Sequence, residues 1–271
     1  MILMQFEWHK EWKKMLMWFL IVGIILGMFM YFFPMMQDSA MESIVVDKMN
    51  ALPSNMLKMF HLEDGKSLLE LPGYFAYVFQ YIFIAVCIYA SMSGGNALIE
   101  EETDGTIEFL YSQPLNRSSL FFGKYFARLV LLIMLWLLLW LVTITFGYAV
   151  KPDDYHIQTF IEKSSLIFLN EVVVLILFYN LGILISTFIK SAKQVTSFAM
   201  ALVFGTFMLG ILAGLSDKFS WAENLSPIQL ATPSKMLNEN LNVTEFGVML
   251  GLSVLFLLLG WQIYKRKDYR L

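Results

Sequence analysis

The chain has 271 residues, 58% of them hydrophobic and 15% charged, with a mean hydropathy of +0.63. Soluble domains are nearer to about 45–50% apolar and about 25% charged, so this composition excludes an ordinary globular protein and points to an all-α integral membrane protein. One membrane domain over residues 1–271 accounts for the length, and no long basic run offers a nucleic-acid surface at a net charge of −3.

Met1 to Lys14 reads as an amphipathic helix. Met1, Met4, Trp8, Trp12 and Met15 share one face, while Glu7, Lys10, Glu11 and Lys14 lie opposite. Two tryptophans on the apolar side suit a helix lying at the membrane interface, and a frayed basic N-terminus is the alternative. Met15 to Phe33 is the first span, nineteen residues that cover roughly 30 Å at about 1.5 Å each. It is longer than a signal-peptide core and no small-x-small site follows, so it is expected to be retained.

Pro34 to Pro72 is a long polar connection, in which Asp38–Met49 and Pro53–Phe60 carry the spacing of short amphipathic helices. The second span is expected near 74–93, ending at Gly94-Gly95, where backbones can approach closely. Lone Cys87 sits inside it, so no intramolecular disulfide can form and the thiol reads as a small packing group.

Glu100 to Lys124 interrupts the apolar pattern with five acids in nine positions: Glu100, Glu101, Glu102, Asp104 and Glu108. Charge this dense belongs in a polar loop between two spans. Glu101, Asp104 and Glu108 fall on one helical face and Ile107, Leu110 and Tyr111 on another, which describes a short amphipathic helix ended by Gln113-Pro114.

Further spans are expected near 129–149, 166–189, 198–215 and 246–264. Trp136 and Trp140 in the third read as packing residues, and Thr143 and Thr145 as bonding back to their own helix. Val150–Ser165 is a linker and Lys190–Thr196 a tight basic turn. Ser216–Glu245, where Trp221, Leu225, Ile228 and Leu230 interleave with Pro227 and Pro233, suits a partly buried or re-entrant segment. With both termini on one side, that side carries 12 Lys and Arg and the other 7, which puts both termini and the acidic loop in the cytoplasm.

The order acid-acid-x-x-Gly-Thr-Ile-Glu-x-Leu-x-Ser-x-Pro, then Asn-Arg and a Gly-Lys, runs from Glu101 to Lys124. It resembles the cytoplasmic loop of ABC type-2 transporter permeases. The layout of the whole chain is similar too, although only this loop is motif-specific. The resemblance implies six transmembrane helices with an N-terminal interfacial helix and a cytoplasmic coupling helix between spans two and three. It also implies that Glu101, Glu102, Thr103, Asp104, Gly105, Thr106, Glu108, Pro114 and Arg117 dock a separate ABC ATPase subunit. ATP and Mg would then be bound by that partner, a second permease chain (identical or paralogous) would complete the assembly in the plasma membrane, and the cargo would be exported, its nature suited to the apolar spans.

The residues agree with that division of labour. No G-x-x-x-x-G-K-[ST] run is present, nor HExxH or GxSxG, so the chain itself is not expected to be an enzyme and no catalytic residue is assigned. His9, His61 and His156 are scattered, so no metal site is assigned. Six methionines in the first outer connection have soft thioethers suited to copper(I), but packing explains them in a chain with eighteen. Asn170, Glu171 and Asn180 are the polar residues inside a span that would mark a pathway. Glu171 stands nearer the outer end of the expected span, where reaching the headgroups toward Lys163 is the alternative. Two other functions remain open: a membrane sensor or assembly protein whose acidic loop docks a non-ATPase partner, and a secondary carrier, for which the expected internal repeats are not evident.

Overall fold

The computed structural model describes residues 2–38, 65–103, 116–189, 191–215, 217–237 and 242–266, with 41, 43–45, 47 and 57 besides. Six long helices carry the apolar runs: α1 (Ile2–Tyr31), α2 (Leu71–Thr103), α3 (Arg117–Val150), α4 (Ile157–Ser186), α5 (Ala192–Leu215) and α6 (Val243–Arg266). All six are long and apolar enough to cross a membrane, and no strand occurs among the described residues.

Each helix extends past the apolar run that announced it. A helix of 33 residues such as α2 is about 50 Å long, so its ends project beyond the hydrocarbon or it tilts. The expected end of the second span at Gly94-Gly95 is passed by more than two turns. Helix α4 begins at Ile157, inside the expected linker, because Pro152 and the Asp153-Asp154 turn confine the break to a few residues. Helix α3 starts at Arg117 because the Asn116 side chain accepts from the Ser118 N–H at 3.3 Å, an N-cap immediately after Pro114-Leu115.

The N-terminal amphipathic helix does not stand apart from the first span. Helix α1 is unbroken from Ile2 to Tyr31, and its Glu7 and Glu11 face is buried in the protein. The outer amphipathic helices expected at 38–49 and 53–60 lie largely outside the described residues.

Helices α2 and α4 form the centre: 78% and 72% of their apolar windows are buried, against 17% for α5 and for α6, which sit at the periphery. They run parallel with backbones nearly touching. A Cβ at Gly94 would fall 2.1 Å from the Tyr179 carbonyl oxygen, and one at Gly182 would fall 2.2 Å from that of Ser91. Only glycine permits this approach, which is how helices gain packing contacts in a solvent as apolar as themselves.

Toward the first residues of both helices from that contact, Phe75, Phe79 and Phe83 of α2 meet Phe168 of α4 and Trp136 of α3. The Phe79–Phe168 and Trp136–Phe168 ring centroids are 4.7 and 4.4 Å apart. The Trp136 indole donates to the Phe168 carbonyl at 3.1 Å, so the ring packs without an orphaned N–H. Thr143 and Thr145 donate to the carbonyls of Leu139 and Leu141, back along their own helix as expected. Between α5 and α6, the chain turns back in short helical pieces at Pro227–Leu230 and Pro233–Met236, burying Ile228, Ala231 and Met236 while Trp221 and Leu225 stay exposed. That is the partly buried segment its mixed composition suggested.

Candidate functional site

The acidic loop is shorter than the sequence implied. Glu100–Thr103 are the last turn of α2 and Arg117–Lys124 the first turns of α3, so the segment between helices is 104–116. Of the residues assigned to docking, Asp104, Gly105, Thr106, Glu108 and Pro114 lie outside the described residues, as does most of the expected coupling helix. Glu101 and Glu102 are in α2, with side chains that are likewise not described. Thr103 and Arg117 mark the two ends.

Both ends are anchored in the bundle. The Thr103 hydroxyl donates to the Ile99 carbonyl at 3.0 Å and accepts from the Ala192 N–H at 3.0 Å, capping the first turn of α5 from across the bundle. Arg117 Nη1 donates to the Lys265 carbonyl at 3.3 Å, and the Trp261 indole to Ser118 Oγ at 3.4 Å, so the start of α3 is tied to the end of α6. These contacts gather the first turns of α3 and α5 and the last turns of α2 and α6 at one end of the molecule.

The first turns of α1 join them through charge. Acids at the C-terminal end of α2 are disfavoured by the helix dipole, so Glu100 needs cations, and three reach it. Arg128 Nη2 lies 2.5 Å from its Oε2, Lys14 Nζ 2.7 Å from its Oε1, and Lys10 Nζ 3.3 Å from Oε2. The Arg128 guanidinium also meets two acids of α1, with Nε 3.2 Å from Glu7 Oε2 and Nη2 3.4 Å from Glu11 Oε1, while Nη1 donates to the Ser93 carbonyl at 3.3 Å. Lys124, one turn before Arg128, lies 3.8 Å from Glu7 Oε1.

Arg128, Glu7 and Lys124 are almost wholly inaccessible, at 1%, 1% and 2% side-chain exposure. A planar guanidinium can satisfy several carboxylates from one position, which an ammonium cannot. The cluster therefore joins α1, α2 and α3 immediately beside the loop. Lys124 and Arg128, which count in the sequence as cytoplasmic surface charges, are interior residues, and so are Glu7 and Glu11 of α1. Burial is tolerated because each charge meets an opposite one.

Sequence reasoning missed this cluster, although a signal was present. Glu7 and Glu11 are four residues apart on α1, and Lys124 and Arg128 four apart on α3. Two helices with opposite charges at the same one-turn spacing are matched for side-by-side contact.

The three expected pathway residues point to different places. Asn180 donates to the Ser253 carbonyl at 3.1 Å and its hydroxyl at 2.7 Å, holding α6 against α4. Asn170 donates to Leu166 of its own helix at 2.7 Å. Glu171 is 0% exposed, and neither carboxyl oxygen has a hydrogen-bond partner among the described residues. Because α4 begins at Ile157, Glu171 is fourteen residues from that end and fifteen from Ser186. It stands about 21 Å along the helix from its first residue, near the middle of α4, because the helix begins nine residues before the expected span. Among the described residues, no group of three or more His, Cys, Asp or Glu could hold a metal ion.

No curated protein matches the chain. A family model described as ABC-2 family transporter protein matches residues 1–269, nearly every residue. With six membrane-length helices around a charge-locked loop, the chain belongs to the ABC-2 family of transporter proteins, as a membrane-spanning permease component.

Proposed function

We propose that the chain is the permease of an ATP-driven exporter in the plasma membrane, with both termini and the 104–116 loop in the cytoplasm. It is moved by a separate ATPase subunit docking on that loop and on the flanking Glu101, Glu102, Thr103 and Arg117. ATP and Mg are bound by the ATPase, and a second permease chain completes the assembly. The cargo is hydrophobic or amphipathic.

One observation carries this reading. The loop is held at both ends by contacts into several helices, and its base is locked to α1 through Arg128. A push on the loop is then delivered to α1, α2 and α3 together, which is the requirement for a docked motor to rock spans rather than bend a free loop. Vectorial work further requires that cargo bind differently in the two arrangements of the spans.

The test is co-purification of the tagged chain with its partners. An ATPase carrying Walker motifs is the expected companion. Glu101→Lys with Glu108→Lys reverses the charge of the acidic face and releases that ATPase, while the spans stay folded by thermal unfolding. Full ATPase retention in the double variant would sink the docking assignment, and a companion without Walker motifs would favour a sensor or assembly role.

A further inference from the structure

Glu171 is the residue of α4 whose chemistry the fold does not use. No other charged side chain among the described residues lies as far from both ends of its helix. The carboxyl group is fully buried, and both oxygens lack a partner among the described residues. Its two polar neighbours in sequence are explained: Asn170 bonds its own helix and Asn180 bonds α6. A buried polar group left without a partner is costly, and more so when charged. An apolar residue of similar size would remove that cost, so in this conformation the carboxyl only destabilises.

Its surroundings specify what would satisfy it. A carboxylate accepts hydrogen bonds and attracts cations, and it donates nothing when ionised. One turn outward on the same helix is Phe168, whose ring packs with Phe79 and Trp136 at 4.7 and 4.4 Å between centroids. Aromatic faces attract cations as well as apolar bodies. Across the seam on α2 lies buried Cys87. The site thus offers one acid and a wall of aromatic rings in the same stretch of the α2–α4 seam, far from water in this conformation.

We propose that Glu171, with the Phe79, Trp136 and Phe168 rings one turn along the seam, is the recognition point for an amphipathic organic cation, closed upon itself in this conformation of the spans. Such a ligand has an apolar body that the rings accept and a single positive centre for the carboxylate. The inference rests on the reading that the spans carry cargo, and it adds the sign of the cargo's charge. Opening of the α2–α4 seam admits the ligand, so the unpaired carboxyl favours the open arrangement only when a cation is there to meet it.

The probe is tetraphenylphosphonium, with tetraphenylborate as its anionic counterpart of the same shape. Saturable binding to the full chain in nanodiscs is measured above that of empty nanodiscs, without the ATPase. Tetraphenylphosphonium is expected to bind saturably and tetraphenylborate not. Glu171→Gln should weaken the cation at least tenfold, while Glu171→Asp keeps the preference for it. Unchanged tetraphenylphosphonium affinity in Glu171→Gln would overturn the proposal. So would equal saturable binding of both ions, or of neither, by the unaltered chain, a result that holds even if the Gln variant fails to fold. Because no ATPase is present, these outcomes are read separately from co-purification, on which the docking assignment stands or falls.

Discussion

Arg128 on α3 and Glu7 on α1 are 121 positions apart in the chain, yet they form an ion pair at 3.2 Å in which both side chains are 1% exposed. Two buried charges are stable only as partners, so the pair fixes how α1 lies against α3. Removing Arg128 takes away the cation that Glu7, Glu11 and Glu100 share. Arg128→Met strands Glu7, Glu11 and Glu100 together and is expected to cost about 3–5 kcal/mol, read as a large fall in thermal unfolding temperature in detergent. Arg128→Lys keeps the charge but loses the fork that serves three carboxylates, and should recover only part of the loss.

Discharging the whole cluster should be far milder than breaking it. Glu7→Gln, Glu11→Gln, Glu100→Gln, Lys124→Met and Arg128→Met together leave no core member of the network charged. Replacement of a buried ionic network by groups of similar volume is often neutral, or stabilising by about 1–4 kcal/mol. The expected result is an unfolding temperature at or above that of the unaltered chain and well above that of Arg128→Met alone. An equally low temperature for both would show that the charges act independently.

The α2–α4 contact gives a steric prediction with an internal control. Gly182→Ala puts a methyl group 2.2 Å from the Ser91 carbonyl oxygen, and the obstacle is backbone, so the helices must separate. Overpacking of this kind costs about 1–3 kcal/mol or more. Gly205→Ala on α5 meets nothing within 4 Å and should lie within about 1 kcal/mol of the unaltered chain. Thermal unfolding of the two variants side by side checks the contrast.

Asn180 of α4 holds α6 through a buried hydrogen bond to Ser253. Hydrogen bonds between membrane helices average about 0.6 kcal/mol in coupling and reach about 1.7. A double-variant cycle with Asn180→Leu and Ser253→Ala should therefore give a coupling of roughly 0.5–1.5 kcal/mol in unfolding free energy. A coupling near zero would mean that α6 is retained by packing at Gly260 and its neighbours.

How much of this was legible depended on which force was at work. The apolar runs located all six helices because hydrocarbon demands about twenty consecutive apolar residues in whatever order they come. The same criterion misjudged the helix ends. Helix α2 continues past Gly94-Gly95 to Thr103, and α4 starts at Ile157, because polar and charged residues at a helix end stay helical when neighbouring helices satisfy them. The 100° periodicity put Glu7 and Glu11 on one face of Met1–Lys14. It could not say that these two acids turn inward, since that depends on Lys124 and Arg128 arriving from α3.

The two ends of the acidic segment show the same limit. Composition marks Glu100–Lys124 as a place where apolar structure stops. Whether each charge is a surface group or a buried partner is decided by the neighbours that folding supplies, and Glu100, Lys124 and Arg128 prove to be partners. The sequence by itself determined the class of molecule, the number of spans and the family, because these rest on hydropathy summed over long stretches and on one contiguous motif. Only the tertiary structure decided that α1 is bolted to the base of the loop and that Glu171, at the middle of α4, has no partner among the described residues. Electrostatic pairing in a low-dielectric interior acts over a few ångströms between residues that the chain keeps far apart.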